Sequence, residues 1–368
     1  MFNRFIILTL FSVFVFVHAH AQDDSGKEKL RTRRDSLMTY RNTTDTNYIR
    51  KYPNRLIITL YQAYRQYDVR FSQTMATDTL GHSSPQMVAD ANIVTGLSID
   101  FDKISFSFGL KSKEPTPYDI ERKGRTTYKT LGLSFSLYRF RIETSFRRYK
   151  GFYDVHTGNY DTISKVFYQR PDMDVTSYRV KGLFIFNKRK FSYNAAYFNT
   201  QRQIKSAASW LAVGNLYSYR VMADSAMLPY AARPYYGMWS DMNEYHVQGI
   251  AVGPGFAFNL VLFKKLYWNL TMTSALDVQH RQMVKTDGFE KNVWKTGAAG
   301  DFRTALGINS KNFFMSITYR VDYNTYQMNN FRIEPRYNSF DFNIGYRFPF
   351  KERRWVTELK KNKWYQLL

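Results

Sequence analysis

Polar and apolar positions alternate with period two along most of the chain, most sharply near its C-terminal end. Phe340, Phe342, Ile344, Tyr346, Phe348 and Phe350 are apolar, with Ser339, Asp341, Asn343, Gly345 and Arg347 between them. Successive side chains of a strand point to opposite faces, so each such row is one face of a β-strand. Phe313, Met315, Ile317, Tyr319, Val321 and Tyr323 repeat the pattern, and so do Leu266, Trp268, Leu270 and Met272. Shorter runs agree: Leu56-Ile58-Leu60, Ile93 to Phe101, Ile104 to Leu110, Leu131 to Leu137, Phe140 to Phe146, Val180 to Phe186, and Phe302 to Ile308. Phe191-Tyr193-Tyr197 reads as a further strand, the seventh.

The connections decide the architecture. Some are minimal, at 101–103, 138–139, 187–189, 264–265 and 310–312, whereas 70–90, 111–127, 150–174, 201–243, 283–297 and 328–338 are long and polar. Tight turns alternating with long loops distinguish an outer-membrane barrel from a two-sheet sandwich. The expected fold is therefore all-β, a transmembrane up-and-down antiparallel barrel of about twelve strands with both ends on the inner side. Gly253-Pro254-Gly255 interrupts the run from Val247 to Phe263. It reads as a bulge or kink in one long strand; a true break, with a strand over 207–220, would raise the count to about fourteen. Aromatic residues crowd the tight turns, among them Phe101, Tyr138, Phe186, Phe263 and Phe313, where an interfacial girdle belongs.

The first residues set the compartment. Arg4 precedes an apolar run from Phe5 to Val17, followed by Ala19-His20-Ala21. That is the layout of a cleaved signal peptide, and the run is too short for a membrane helix. The expected organisation is a signal peptide 1–21, removed after Ala21; a periplasmic leader 22–53; a barrel 54–350; and a basic tail 351–368. The leader includes a short helix over Lys27–Tyr40, and localisation is to a Gram-negative outer membrane. Cysteine is absent from the 368 residues, which excludes disulfides and thiolate chemistry. Tyrosine and phenylalanine number 29 and 30 in a chain that is polar on average, more rings than a water-soluble fold hides easily. The formal charge of +23 suggests nucleic acid at first. In an exported chain, bases lining a lumen or facing anionic headgroups are the simpler reading, so no nucleic-acid partner is expected.

Asn343, Gly345, Phe348 and Phe350 space a polar residue, a glycine and two aromatics as in the C-terminal strand by which the insertion machinery recognises outer-membrane proteins. The chain departs from that pattern with Pro349 in a ladder position and with a tail beyond the last aromatic. Upstream, Arg170-Pro171-Asp172, then Phe191-Ser192-Tyr193-Asn194-Ala195-Ala196-Tyr197, run into Gln201-Arg202-Gln203 and Lys205-Ser206-Ala207-Ala208-Ser209-Trp210. This block resembles a family of uncharacterised outer-membrane proteins of Bacteroidota, domain of unknown function 4421. Ala208 stands where the family pattern has glycine. The resemblance covers most of the mature chain and implies a barrel with no activity or site residue to carry over. The expected partners are accordingly membrane lipid and the insertion machinery.

Charge collects on the inward rows. Arg141, Glu143 and Arg147 share one strand face, Arg179 and Lys181 another; Asp301 and Arg303, Arg320 and Asp322, and Asp341 and Arg347 lie on later strands. They fit either a selective lumen or a ladder of salt bridges filling a narrow one. Tyr230, Arg233, Tyr235, Tyr236 and Trp239 in the loop 201–243 could bind a glycan, a peptide or a partner, or fold into the mouth. His246 with Glu244, His280 with Asp277, and Ser83 beside His82 can be sketched as catalytic pairs, with His156 in a further loop, but none has a spacing with known mechanics. No metal cluster, phosphate loop or nucleotide fingerprint occurs, and the chain reads as a non-enzymatic barrel without cofactor. A structural or weakly selective channel role comes first, a surface-binding barrel second, and a membrane-embedded hydrolase third.

Overall fold

A strand that meets lipid on one side and its own interior on the other must satisfy every backbone group by pairing sideways, so only a closed sheet suffices. The computed structural model describes residues 44–73, 84–112, 115–155, 166–327 and 331–351, together with Glu358 and Lys360, and these lie in the unit Thr44–Leu368. The elements are β1 (Ile49–Lys51), β2 (Arg55–Gln73), β3 (Gln86–Phe101), β4 (Ile104–Lys111), α1 (Pro117–Lys123), β5 (Thr127–Ser136), β6 (Phe140–Asp154) and β7 (Tyr168–Ile185). They continue with α2 (Asn194–Tyr197), β8 (Gln201–Gln203), β9 (Ala207–Met222), a 3-10 helix Tyr230–Trp239, β10 (Met242–Leu262), β11 (Leu266–Lys285), β12 (Glu290–Asn309), β13 (Phe313–Gln327) and β14 (Phe331–Pro349).

The wall is a closed antiparallel barrel in the order β10-β11-β12-β13-β14-β2-β3-β4-β5-β6-β7-β9, twelve strands as the alternation predicts. It closes where β14 meets β2 in unbroken register from Phe331 opposite Gln73 to Pro349 opposite Arg55. The short hairpin β4–β5 leaves a gap above it, which β3 and β6 fill by pairing directly at Met87–Asp154 and Val88–Tyr153. No described helix is long and apolar enough to cross a membrane, so the crossing elements are strands.

The rows face as the sequence dictates. Phe340, Phe342, Ile344, Tyr346 and Phe348 point outward and are exposed, while Gly345 and Arg347 are buried inside. On β11 the outward row runs from Trp268 to Val278. Ten residues of strand tilted by about 40° rise roughly 25 Å, the height of the apolar band of such barrels. Gly345 has a steric reason to be glycine, because a Cβ there would lie 2.2 Å from Phe314 Cζ and 2.8 Å from the backbone oxygen of Ile58.

Two segments depart from expectation, and the errors cancel in the count. Residues 191–197 are not a strand. They belong to a connection, 186–206, that turns into the barrel, carries α2 and pairs β8 with β1, Ile49 opposite Gln203. Conversely 207–222, assigned to the loop 201–243, is the wall strand β9, paired with β7 and β10. The outer loop shrinks to 223–241. The physical reason is shared: both inner faces of this region are apolar, so the period-two contrast disappears from β9 and a false one appears in the insert. β10 stays one strand through Gly253-Pro254-Gly255, with β9 in register across it; ladder partners on β11 are missing at 253 and 254, and again at a bulge at 243. The outer connections 286–289 and 328–330 are as short as the inner turns, so the strict alternation of loop lengths does not hold there. The signal peptide, most of the leader with its helix, and most of the tail fall outside the described residues.

Candidate functional site

The interior is the only large buried volume a barrel has, and here the charge rows converge on it. On β12 and β13 like charges stand directly opposite one another, Asp301 against Asp322 and Arg303 against Arg320. Such pairs repel. Their counter-charges come from β6 and β7, on the far side of the ring. Lys181 Nζ meets Asp301 at 2.8 Å, Arg303 meets Glu143 at 2.9 Å and Asp301 at 3.0 Å, and Arg141 reaches Glu143 at 3.6 Å. Nearer the outer end Asp322 is held by Arg147 at 3.0 Å and Arg179 at 3.1 Å, and Asp341 by Arg65 at 3.4 Å. The bridges from β6 and β7 to β12 and β13 span the lumen, whereas Arg65–Asp341 joins the adjacent strands β2 and β14. Arg320 lies half-buried beside Arg303 without an ion pair among the described residues.

Below this waist the insert 186–206 fills the inner end. Arg141 donates to Asn194 Oδ1 at 3.1 Å, and its guanidinium lies 3.2 Å from the Phe198 ring centroid. Arg303 donates to the Tyr193 hydroxyl at 2.7 Å. Asn259 donates to the Ser192 carbonyl at 2.9 Å, and the Tyr267 hydroxyl to the Ala196 carbonyl at 3.1 Å. Arg347, fully buried, donates to the Asn199 carbonyl at 2.8 Å and to Asn309 Oδ1 at 2.7 Å. Strands β6, β10, β11, β12 and β14 thus all hold the insert, using polar side chains that an empty lumen would leave in water.

Above the waist the loop 223–241 folds over the mouth. Tyr236 and Trp239 are 3% and 7% exposed and join Met227, Leu228 and Ala232 in one apolar cluster with Tyr67, Phe71 and Phe331. Tyr235 packs against the same cluster, and Arg233 Nε donates to the Leu228 carbonyl at 3.2 Å. Of the five loop candidates only Tyr230, 82% exposed, stands out in solvent, with the Arg233 guanidinium 6.0 Å from its ring centroid. Between lid and waist remains a cavity of about 50 Å³, lined by Tyr67, Arg147, Arg179, Asn215, Tyr217 and Asp322, room for a few water molecules.

Lys188, in the insert, is 8% exposed and has no anionic partner among the described residues. Burial pushes its ammonium down to about 8, and the charges of Lys51 and Arg141 push the same way. In the unfolded chain it titrates near 10.4. The unfolded state therefore binds more protons between those pH values, so stability is lowest below about pH 8 and rises toward pH 10. We predict that Lys188→Met raises the unfolding free energy at pH 7, by on the order of 3 kcal/mol at most as read from urea titration, and flattens the wild-type rise between pH 8 and 10.

The catalytic sketches separate. Asp277 points inward and is buried, whereas His280 points outward and packs against Trp294, the ring centroids 5.0 Å apart and the planes tilted by 52°. Glu244 is taken by Arg220 at 2.7 and 2.9 Å. His82, Ser83 and His156 lie outside the described residues. Among the described residues no group of three His, Cys, Asp or Glu could hold a metal. One proximity was missed: Ser218 Oγ lies 3.0 Å from His246 Nε2, on neighbouring strands of the outer wall. The signal is a register, invisible while 207–222 counts as loop.

The model of one family, described as a domain of unknown function (DUF4421), matches residues 43–348. No curated protein matches the sequence. Among solved structures the chain is similar to the outer-membrane protease OmpT from Escherichia coli, at 8% identity and TM-score 0.38, covering 81% of this chain and 98% of that one. It is also similar to Ail, the attachment invasion locus protein of Yersinia pestis, at 9% identity and TM-score 0.23, covering 81% and 100%.

Proposed function

The chain belongs to this family of unknown function, and from that premise we propose that it is an integral outer-membrane barrel that stands closed, with a structural role in the envelope and its active surfaces on the outside. The observation that carries this reading is the set of ion pairs across the lumen, Lys181–Asp301 and Arg303–Glu143 above all, stoppered by the insert below and the lid above. A selective pore leaves its fixed charges free for passing ions. Here each acid of the waist is already neutralised from the opposite wall. The membrane partner is lipid, met by the outward aromatic rows, and β14, with Asn343, Gly345, Phe348 and Phe350, is our candidate for the strand read by the insertion machinery.

Because the chain has no cysteine, a single introduced thiol reports access cleanly. In Ser177→Cys the thiol lines the cavity, and in Tyr230→Cys it stands at the surface. A membrane-impermeant maleimide added to the refolded protein should label position 230 rapidly and leave 177 protected. Equal rates at the two positions would sink the closed-barrel reading.

A further inference from the structure

Besides its interior the barrel offers its outer wall, and there a serine, a histidine and a glutamine share the outward face of three neighbouring strands. On β9, β10 and β11 the outward rows run through Leu216, Ile250 and Val278, all exposed to the apolar layer. At the next outward positions stand Ser218, Gln248 and His280, and then Arg220, His246 and Gln282. The site therefore sits where the outward rows of these strands turn from apolar to mainly polar, with Met222 of β9 beyond it, the depth we assign to the acyl ester bonds of outer-leaflet lipids. Ser218 Oγ is 3.0 Å from His246 Nε2. Gln282 stands directly across the ladder from His246, on the same outward face. Arg220, opposite His246 on its other side, is fixed by Glu244 through two bonds of 2.7 and 2.9 Å.

Each part has the role nucleophilic catalysis requires: a hydroxyl, a base within hydrogen-bond reach of it, and a third group orienting the base. With the imidazole proton on Nδ1, where the Gln282 amide across the ladder is placed to steady the ring, Nε2 is left to accept the Ser218 proton. We propose that Ser218, His246 and Gln282 form an esterase centre on the lipid-facing wall that cleaves an acyl ester of an outer-leaflet lipid. Ser218 Oγ bonds to the ester carbonyl carbon while its proton passes to His246 Nε2 and the carbonyl electron pair moves onto oxygen. Arg220 supplies positive charge near that oxyanion. Collapse breaks the carbon–oxygen bond to the alcohol, which leaves as deacylated lipid with the proton from His246. Interfacial water, deprotonated by the same nitrogen, then attacks the acyl-serine, releases the fatty acid and returns the proton to Ser218. The proposal is independent of whether the lumen is closed.

The test uses the full folded chain in detergent micelles containing a diacyl phosphatidylethanolamine with labelled acyl chains, and in parallel a fluorophosphonate probe with the adduct located by mass spectrometry. Heat-modifiability on a gel checks folding of every variant. The expected results are an adduct on Ser218 and release of labelled fatty acid. Both should be lost in Ser218→Ala and fall at least about a hundredfold in His246→Ala. Ser274→Ala, an outward serine on β11, should match wild type. Gln282 is a positioning residue, so Gln282→Leu should lower kcat with KM unchanged, and Gln282→Glu should restore it. Labelling at another serine, labelling or release that persists in His246→Ala, or no fatty acid release above the Ser218→Ala blank would each overturn the assignment.

Discussion

Asp301→Asn is expected to cost this barrel about 3–5 kcal/mol of stability, the loss that follows when one partner of a buried charge network is removed. The change keeps the shape of the side chain and removes only its charge. Lys181 would then keep its ammonium, 2% exposed at the side chain, with no ion pair of its own and only Glu143 across the ladder, an acid already held by Arg303 and Arg141, to offset it. The effect should be read from the urea midpoint of the refolded protein in vesicles. A paired variant separates the worth of the bridge from the penalty of breaking it. Lys181→Met combined with Asp301→Leu removes both charges and should lie within about 1 kcal/mol of wild type, or above it, because apolar replacement of a whole buried pair is often neutral or stabilising. A single Asp301→Asn as stable as wild type would mean that the waist is wet and the charges are screened.

The second large effect concerns the lid. Replacing 224–240 by a short glycine-serine turn, with β9 and β10 left whole, should expose a thiol at position 177 and raise its labelling from the outer side at least about a hundredfold. That factor is conservative. The lid buries Met227, Leu228, Tyr236 and Trp239, and each large apolar side chain contributes roughly 1.5–3 kcal/mol. The same variant should remain electrically silent, since the ion pairs of the waist and the insert 186–206 lie below the lid. Labelling that does not change would place the closure elsewhere.

These expectations depend on a region the sequence rendered poorly, and the reason is physical. Where one face meets lipid and the other a polar interior, as on β13 and β14, alternation is legible residue by residue, and Phe313, Ile317, Phe340 and Ile344 all point outward as predicted. Where the inner face packs on a stopper, the contrast fails. Leu211, Val213 and Val221 of β9 are apolar inside while Trp210, Leu216 and Met222 are apolar outside, so no period stands out. In the insert, Phe191 and Tyr193 alternate with Ser192 and Asn194 and mimic a strand, yet all four are buried. Ala195-Ala196 and the Lys188-Arg189-Lys190 run were the available hints of something other than a strand. The charged residues of the interior were legible by type and face. Their pairing was not, because Lys181 and Asp301 come together only through the closure of the ring. Ser218 and His246 illustrate the same limit on the outer wall: two ordinary residues become a constellation once the register of β9 on β10 is known.

The closed barrel is tested most directly by single-channel recording of the intact protein, refolded and inserted into a planar bilayer. The ion pairs across the lumen and the two stoppers predict a flat baseline at all moderate voltages, with the lidless variant equally flat. Steady, reproducible conductance steps from the intact protein would contradict the account, and would mean that the waist opens in a membrane.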